Sequence, residues 1–342
     1  MNRRKSSIKD VAAAAGVSIA TVDRVLNGRG GVSPDRVKRV IEWARKLRLD
    51  RALDDLPIRW LRIAILMQSP TNPFYESLKQ GFQLAQKTYE AHKVMCLLHY
   101  FDGFEPKAIA EQIRRASANA DGLVIVSYEH PLITAALKTV SRSIPVVTLV
   151  SDLPNSGRLA YVGVDNRCAG RVAGELMGRF LGPAGGQVLI ITGMHDFLGH
   201  EERESGFRAV LRRRFPACEV VATVESHEKP QATEDLTYDA FRRHPDIRGI
   251  YDISVGPREI SQALRKLGKA GGTVLIAHEL TESNRELLME GMMDAVLDQN
   301  PHIEALRAVE LLMREHQRMP ESALTLETPV SIFLRENLPV RE

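Results

Sequence analysis

The segment SIATVDRVLN, residues 18–27, places a guanidinium group and small side chains on one face of a predicted helix. Ala20 and Arg24 are four residues apart, so on a helix they are neighbours, whereas the apolar side chains of the segment fall on another side. The Arg24 face has no core to join. An exposed arginine can grip a guanine through two parallel hydrogen bonds, and Ile19 and Ala20 can offer apolar contact to a thymine methyl group.

Three short helices are predicted to position this face. Ser7 and Asp10 have the spacing of a capping box that opens a first helix, and Gly16 is expected to end it. Ser18 then caps the second helix, and the Ser-Pro pair at 33–34 opens a third. The buried stripe of the third helix is Val37, Val40, Ile41, Ala44 and Leu47. Two short helices joined by a tight turn and followed by a third are typical of a helix-turn-helix module.

Positive charge is concentrated at the same end of the chain. Residues 1–48 hold twelve Lys or Arg and four acidic residues, a net charge of +8, whereas the whole chain of 342 residues carries +3. The remainder therefore carries −5. A charged run alone is more often a solvated face, but here charge, helix pattern and turn coincide. We predict double-stranded DNA as the partner, because cations that neutralise phosphates release counterions.

The segment DVAAAAGVSIATVDRVLNGRGGVS, residues 10–33, resembles the DNA-binding headpiece of the LacI/GalR transcriptional regulators. The family pattern D-V-A-x-x-A-G-V-S-x-x-T-V-S-R-V-L-N matches without a gap except at one serine. The resemblance implies that the second helix enters the major groove. It implies base contacts by Ile19, Ala20 and Arg24, and phosphate contacts by Ser18, Thr21 and Asn27. Plain helix filling is the alternative for Ile19 and Ala20.

Two departures from the family pattern fall within and after this headpiece. Asp23 stands where the family has serine, so its anion either pairs with a neighbouring arginine or is held off the DNA backbone. Family members then continue into a hinge helix that wedges a leucine into the minor groove. The linker at 49–61 instead contains two aspartates, which DNA repels, and Pro57, which breaks a helix. We expect an altered hinge, with Leu53 or Leu56 as the wedge.

Beyond residue 61, ten short apolar runs alternate with segments of helical periodicity. The runs are RIAIL, VMCLLHY, GLVIV, PVVTLV, AYVGV, QVLIIT, EVVATV, GIYDI, TVLIA and DAVLD. This alternation implies parallel sheets covered by helices, and about ten strands suit two stacked α/β lobes better than one sheet. Ligands of such sheets bind at the carboxyl ends of the strands.

Six segments in unbroken order resemble periplasmic sugar-binding proteins of the ribose-binding type, the fold that LacI-family effector domains share. They are MQSPTNPFYESLKQGF, DGLVIV, IPVVTLVSD, VGVDNRCAGRVAG, ERESGFRAVL and DAVLDQNP. The resemblance implies a small all-α helix-turn-helix headpiece at 1–48, followed after the linker by a two-lobed α/β effector domain at 62–342. The expected first lobe is 62–162 plus 294–328. The expected second lobe is 163–293 plus 329–342.

The same resemblance implies an effector site between the lobes. The implied contacts are Asn72, Phe74, Tyr75, the turn Val150 to Asp152, Arg203, Gly256, Glu279 and Gln299. Aromatic faces can stack on a sugar ring, while arginine, carboxylate and amide groups bond its hydroxyls. The alternatives are core filling for Phe74 and Tyr75 and a surface position for Arg203 and Gln299.

The implied site lacks four polar ligands of the binding proteins. Val-Ser stands at 150–151 where they have Asp-Arg, and Gly-Pro stands at 256–257 where they have Asn-Asp. Asp152 alone is close enough to substitute. Glu279 replaces an aspartate, with His278 beside it. We therefore expect an effector that differs from a pentose or is larger.

Other chemistry is not indicated by the sequence. Its three cysteines lack CxxC spacing and follow no secretory segment, which indicates reduced thiols in a cytoplasmic protein. No apolar run reaches the roughly 18 residues of a membrane span, and no phosphate-loop, serine-hydrolase or zinc-protease motif occurs. His195, His200, Glu201 and Glu202 match no common metal spacing. We expect no cofactor, no metal and no membrane partner.

Three classes of protein fit these observations. The leading prediction is a repressor whose homodimer reads a near-palindromic operator and whose sugar or sugar-derived effector shifts the population between DNA-competent and incompetent states. A cytoplasmic solute-binding protein of the same fold without operator function is the alternative, and the basic headpiece speaks against it. An enzyme is disfavoured, because the implied cleft offers binding groups without a nucleophile and base.

Overall fold

The computed structural model describes residues 6–27, 31–47, 49, 59–101, 103–253, 256–319 and 325–340. The chain divides into two compact units, Met1–Trp60 and Leu61–Glu342. The predicted wedge residues Leu53 and Leu56 lie outside the described residues.

The first unit contains three helices, α1 (Ile8–Ala15), α2 (Ile19–Leu26) and α3 (Pro34–Lys46). The Ser7 amide donates to Asp10 Oδ2 at 2.7 Å at the start of α1. Gly16 ends α1 in the left-handed region, with φ of 64°. Ser18 Oγ accepts from the Thr21 amide at 3.1 Å and so caps α2. The predicted helix starts and the predicted turn at Gly16 are confirmed.

The three helices enclose one small core. Its buried members are Val11, Ala12, Ala15, Val22, Val25, Leu26, Val40, Ala44 and Leu49. Val40 and Ala44 of the predicted α3 stripe are buried completely, whereas Val37, Ile41 and Leu47 are half-buried against them. The apolar side of α2 is thus buried in this core, and the other side of α2 is exposed to solvent.

The second unit begins with a five-stranded parallel sheet in the order β2-β1-β3-β4-β5. Its strands are β1 (Leu61–Gln68), β2 (Val94–Phe101), β3 (Gly122–Ile125), β4 (Val146–Leu149) and β5 (Ala160–Val162). The helices α4 (Pro73–Thr88), α5 (Pro106–Ser117) and α6 (Pro131–Val140) connect them. One apolar core lies under α4 and another under α5 and α6, so both faces of the sheet are covered.

A six-stranded sheet follows, in the order β11-β10-β9-β8-β6-β7. Its strands are β6 (Gly186–Thr192), β7 (Cys218–Glu225), β8 (Ile247–Asp252), β9 (Val274–His278), β10 (Ala295–Asp298) and the antiparallel β11 (Ser331–Phe333). Its helices are α7 (Asn166–Leu181), α8 (Leu198–Arg214), α9 (Pro230–Arg243), α10 (Pro257–Lys266) and α11 (Glu282–Met289). The predicted two-lobed α/β fold is confirmed.

The segment after residue 293 divides differently from the prediction. β10 pairs in parallel with β9, Ala295 opposite Ile276, so residues 295–298 belong to the second lobe and not to the first. The chain crosses back only before α12 (Pro301–Glu315), which packs on the first sheet. Short apolar strands look alike whichever sheet they join, so the run DAVLD could not reveal its lobe.

All ten apolar runs form strands, and β11 was not predicted. β11 has three residues and a half-exposed pattern, too short for a periodic signal. Among the described residues, no helix has the length and apolar character that crossing a membrane requires.

Candidate functional site

A cavity of about 210 Å³ lies between the two lobes, at the carboxyl ends of the strands. Eight of the ten implied effector contacts line it, namely Asn72, Phe74, Tyr75, Val150, Ser151, Arg203, Glu279 and Gln299. Pockets for drug-sized ligands span about 300–1,000 Å³. The smaller volume suits a molecule of monosaccharide size, and the expectation that the effector differs from a pentose or is larger stays a prediction.

Arg203 is the centre of a hydrogen-bonded chain on the second-lobe side of the cavity. It lies on α8 and is only 4% exposed. Its Nε donates to Asn166 Oδ1 at 2.7 Å, and its Nη2 lies 3.5 Å from Gln299 Oε1. Gln299 Nε2 in turn donates to Glu279 Oε1 at 2.6 Å. The chain fixes side chains from α7, α8 and the loops after β9 and β10 before any ligand arrives.

Glu279 presents a buried carboxyl in a constrained backbone. Its φ is 68°, in the left-handed region, and the Asn284 amide group donates to its carbonyl at 2.8 Å. Burial raises the pKa of Glu279 to about 8, with Asp298 adding to the effect and Arg203 opposing it. Its Oε2 is buried without a hydrogen-bond partner among the described residues. That oxygen has no accessible surface, so a ligand hydroxyl reaches it only if neighbouring side chains move.

Two histidines line the cavity in uncharged form. Burial and then Arg203 lower the pKa of His200 to about 3. The same two causes hold the pKa of His278 well below its usual value. His278 Nε2 lies 2.8 Å from the Tyr251 hydroxyl, so that nitrogen is occupied within the protein.

Aromatic rings line the cavity on its first-lobe side and at the start of α8. Phe74 and Tyr75 meet edge to face with ring centroids 5.2 Å apart. Both also belong to the core of the first lobe, so core filling and cavity lining apply together. Phe104 and Phe197, with centroids 6.4 Å apart, line the cavity as well. Neither ring was predicted from the sequence to lie at the site.

The structure corrects the expectation that Asp152 substitutes for a missing polar ligand. Val150 and Ser151 line the cavity, but Asp152 and Gly256 do not. Asp152 accepts from Thr148 Oγ1 at 2.8 Å and from Arg158 Nη2 at 2.6 Å, so both of its oxygens are engaged. A carboxylate paired in this way remains with its partners, because separating it costs both hydrogen bonds and charge.

Other cavity residues were missed because their elements are distant in sequence. Asn166 begins α7, His200 lies on α8, and Glu228 follows β7. His200 was noted only as part of a metal-like cluster, and Asn166 only within the quoted segment VGVDNRCAGRVAG. No spacing in the sequence links Glu228 to the other residues of the site.

In the headpiece, the predicted DNA contacts lie on the accessible side of α2. Ser18, Ile19, Ala20, Arg24 and Asn27 are exposed and Thr21 is half-buried. Asn27 Nδ2 donates to Asp23 Oδ1 at 2.7 Å. The anion that departs from the family pattern is therefore bonded on its own helix.

Two family models match the sequence. One describes bacterial regulatory proteins of the lacI family and covers residues 7–48. The other describes a periplasmic binding protein domain and covers residues 63–317.

Similar proteins include regulators matched over nearly their whole length. The HTH-type transcriptional regulator CelR of Thermobifida fusca is 26% identical over 99% of this chain and 98% of its own. A ribose operon repressor of Halalkalibacterium halodurans is 23% identical over 97% of this chain and 96% of its own. Among solved structures, the glucose-galactose binding protein GanP of Geobacillus stearothermophilus is 21% identical with a TM-score of 0.75, covering 82% of this chain and 100% of GanP. This last likeness shows the fold alone.

Proposed function

The chain belongs to the lacI family of bacterial regulatory proteins with a periplasmic-binding-protein domain, and from this premise we propose that it represses transcription under the control of a sugar-class effector. The observation that carries the proposal is the joint presence of an exposed Arg24 face in the headpiece and a preformed polar cavity between the lobes. We propose that the protein acts on DNA in the cytoplasm and has no catalytic role.

The proposal of DNA binding depends on the exposed side chains of α2 and on the contacts that they can make with bases. Arg24 is exposed on a helix whose other side is buried, and its guanidinium can bond a guanine through both O6 and N7. Ile19 is 49% exposed, which is unusual for isoleucine unless a partner covers it. We propose that a homodimer presents two such faces to a near-palindromic operator, since protein twofold symmetry is mirrored in the half-sites.

The proposal that an effector controls DNA binding depends on which lobe each cavity residue belongs to. Asn72 and Phe74 come from the first lobe, whereas Arg203 and Glu279 come from the second. A ligand that bonds both sets has a higher affinity for the arrangement in which the lobes approach each other. It therefore shifts the population toward that arrangement, and the operator affinity changes with it.

A solute-binding protein without operator function is the second candidate, and we do not favour it. The lobes alone would satisfy that role, as they do in the periplasmic proteins of this fold. The folded headpiece, with its capped helices and basic charge, has no use in a solute-binding protein.

The first test is selection of DNA by the full chain from a library of random duplexes. We expect enrichment of a sequence with two inverted half-sites, and release of that sequence on addition of one sugar. The same sugar is expected to raise the melting temperature of the protein in a dose-dependent manner, because it binds only the folded state.

Two variants separate the parts of the proposal. Arg203→Ala and Gln299→Ala are expected to abolish the melting-temperature shift and the release, while operator binding persists. Arg212→Ala, an exposed substitution on the same helix, is the matched control. Recovery of duplexes without a shared sequence would contradict the assignment as a transcriptional regulator. A sugar response that persists in Arg203→Ala would show that the cavity is not the effector site.

A further inference from the structure

Glu228 is a second acidic residue of the cavity, and nothing in the resemblance to sugar-binding proteins assigned it a role. It lies in the turn after β7, where His227 and Glu228 both have positive φ, 51° and 57°. Consecutive residues other than glycine in the left-handed region are costly, and such strain persists where surrounding contacts impose it. Here the His227 amide donates to the Gly193 carbonyl at 2.8 Å, which holds the turn against the loop after β6.

Gly193 makes room for the Glu228 carboxyl. A Cβ atom at position 193 would lie 1.6 Å from Glu228 Oε1 and 2.9 Å from His200 Cε1. Any side chain other than hydrogen would displace the carboxyl. The Glu228 carboxyl and the His200 imidazole therefore meet at the same point of the cavity wall.

His200 contributes an acceptor to this wall. Its Nδ1 lies 3.1 Å from the Met194 carbonyl, an atom that can only accept. The Met194 amide also points at Nδ1 but lies farther away, at 3.4 Å, so the shorter contact with the carbonyl places the proton on Nδ1. Nε2 then keeps a lone pair, because a neutral imidazole carries one N–H. With Glu228 ionised, this part of the wall has acceptors and no donor.

Carboxyl groups outnumber cationic side chains at this cavity. Among the described lining residues Arg203 is the one cationic side chain, and it is already bonded to Asn166 and Gln299. Opposing it are the cavity carboxyls Glu228 and Glu279, with Asp252 and Glu304 buried behind them. Burial raises the pKa of Glu279 to about 8 and holds the pKa of Glu304 well above its usual value, so both carboxyls keep their protons at neutral pH. When Glu228 is ionised, its carboxylate repels a phosphosugar and attracts a cation.

We propose that the effector is a monosaccharide-sized polyol with a protonated amine, which donates to the Glu228 carboxylate and the His200 imidazole. An ammonium group has three donors and no acceptor, so it can satisfy both groups at once. A hydroxyl has one donor and satisfies only one of them. This proposal rests on the proposed function, because it takes the cavity as the effector site.

The ionisation of Glu228 supports the same assignment. Burial and then Asp252 on β8 raise the pKa of Glu228 to about 7, and Arg203 on α8 opposes them. The neighbouring His200, also on α8, is uncharged. A bound ammonium lowers the carboxyl pKa, so binding near neutral pH releases a proton.

The test is calorimetric titration of the full chain with matched sugars: glucosamine and galactosamine, their parents glucose and galactose, and glucose 6-phosphate. We expect one amino sugar to bind at least about tenfold more tightly than its parent, as a hydrogen bond to a charged group implies. Its heat should vary with buffer ionisation enthalpy because a proton is released. Glucose 6-phosphate is expected not to bind.

Variants locate the effect. Glu228→Gln should lower the affinity for the amino sugar at least about tenfold and leave the affinity for the parent sugar unchanged. His200→Asn should lower the affinity for the same amino sugar. This variant replaces Glu228→Gln in the test if Glu228→Gln does not fold. Glu201→Gln, an exposed substitution beside His200, is the control.

Different results would contradict the amine on the effector and the control of the repressor by a sugar. Parent sugars that bind as tightly as amino sugars, or an affinity unaffected by Glu228→Gln, would overturn the amine while leaving the sugar-controlled repressor intact. If no sugar of either class binds, the amine and the cavity's assignment as a sugar-effector site both fall. Operator selection by the headpiece is measured without ligand and stays independent of this result.

Discussion

At the scale of single residues, Glu279 shows how burial changes the behaviour of a carboxyl. Its pKa of about 8 in the folded state exceeds the ordinary value of 4.5, so the folded protein retains a proton that the unfolded chain has released. A raised folded-state pKa contributes stability below the unfolded pKa, and this contribution is lost as pH rises through the folded pKa. The window for Glu279 is therefore from about 4.5 to about 8.

We predict that Glu279→Gln raises the melting temperature at pH 8.5 and leaves it nearly unchanged at pH 4.5. The amide cannot ionise, so the loss of stability across the window disappears, and Gln299 retains an oxygen to which its amide donates. The expected gain is about 2–4 °C, which corresponds to roughly 1 kcal/mol in a large domain. Melting curves measured across this pH range provide the check.

Glu219→Gln, which removes an exposed carboxyl on β7, is the control for this experiment. It should shift the melting temperature equally at both pH values. Equal behaviour of Glu279→Gln and the wild type at pH 8.5 would contradict a proton held on Glu279.

Arg24 is the residue on which base recognition is predicted to depend. We predict that Arg24→Ala lowers affinity for the selected operator by about 1–3 kcal/mol, the value of one bidentate base contact. Affinity for unrelated DNA should change far less, because Arg24 is one of many cations of the headpiece. Fluorescence anisotropy with operator and scrambled duplexes measures both.

Arg36→Ala is the matched control, since Arg36 is also exposed but lies on α3. It should weaken both duplexes to a similar and smaller extent. If Arg24→Ala behaved in the same uniform way, Arg24 would be a phosphate contact and not a base reader.

At the scale of elements, two glycines set the distance between α7 and α8. A Cβ at Gly170 would lie 1.9 Å from the Arg203 carbonyl oxygen, and one at Gly206 would lie 2.2 Å from the Arg167 carbonyl oxygen. Backbone contact at both points leaves no space for a methyl group. Because α8 carries Arg203 and α7 begins at Asn166, the close approach also brings the two bonded side chains together.

We predict that Gly170→Ala destabilises the protein by about 1–3 kcal/mol, as overpacking does, and abolishes the response to the effector. The methyl group must push α8 outward, which moves Arg203 away from Asn166 and Gln299. Urea unfolding reports the stability, and the ligand-induced melting shift reports the cavity.

Gly272→Ala is the control, because its nearest contact, the Lys269 carbonyl oxygen at 3.7 Å, is an ordinary one. It should leave the ligand response intact. A Gly170→Ala protein that still responds to ligand would show that the position of Arg203 does not depend on the helix contact.

At the scale of the whole molecule, charge and burial separate the two activities. Residues 1–48 carry +8 and the remainder −5, so attraction to DNA is confined to one end. The cavity groups are buried and bonded to one another, which shields them from salt.

We predict that raising the salt concentration from about 50 to 200 mM weakens operator binding by about 10³–10⁵-fold, as expected for six to ten phosphate contacts. Affinity for the effector should change by less than about twofold, because buried interactions are screened little. Anisotropy and calorimetry at both concentrations test this difference. A parallel loss of both affinities would mean that effector binding also depends on exposed charges.

Local signals in the sequence determined the elements of this protein. Capping residues and apolar periodicity act within a few positions of the chain, and they located three headpiece helices and ten strands. The resemblance to known families identified eight residues that do line the cavity. Most of them lie in the loops that follow strands or at the start of the next helix, where ligands of parallel sheets bind.

Only the tertiary structure decided the rest, because it depends on contacts between distant segments. Pairing with β9 assigns residues 295–298 to the second lobe, and the ion pair with Arg158 removes Asp152 from the site. Glu228 reaches the cavity because its turn bonds the loop after β6 and Gly193 leaves room for its carboxyl. Side-chain type sets which chemistry is possible, and packing between distant elements decides which groups share one cavity.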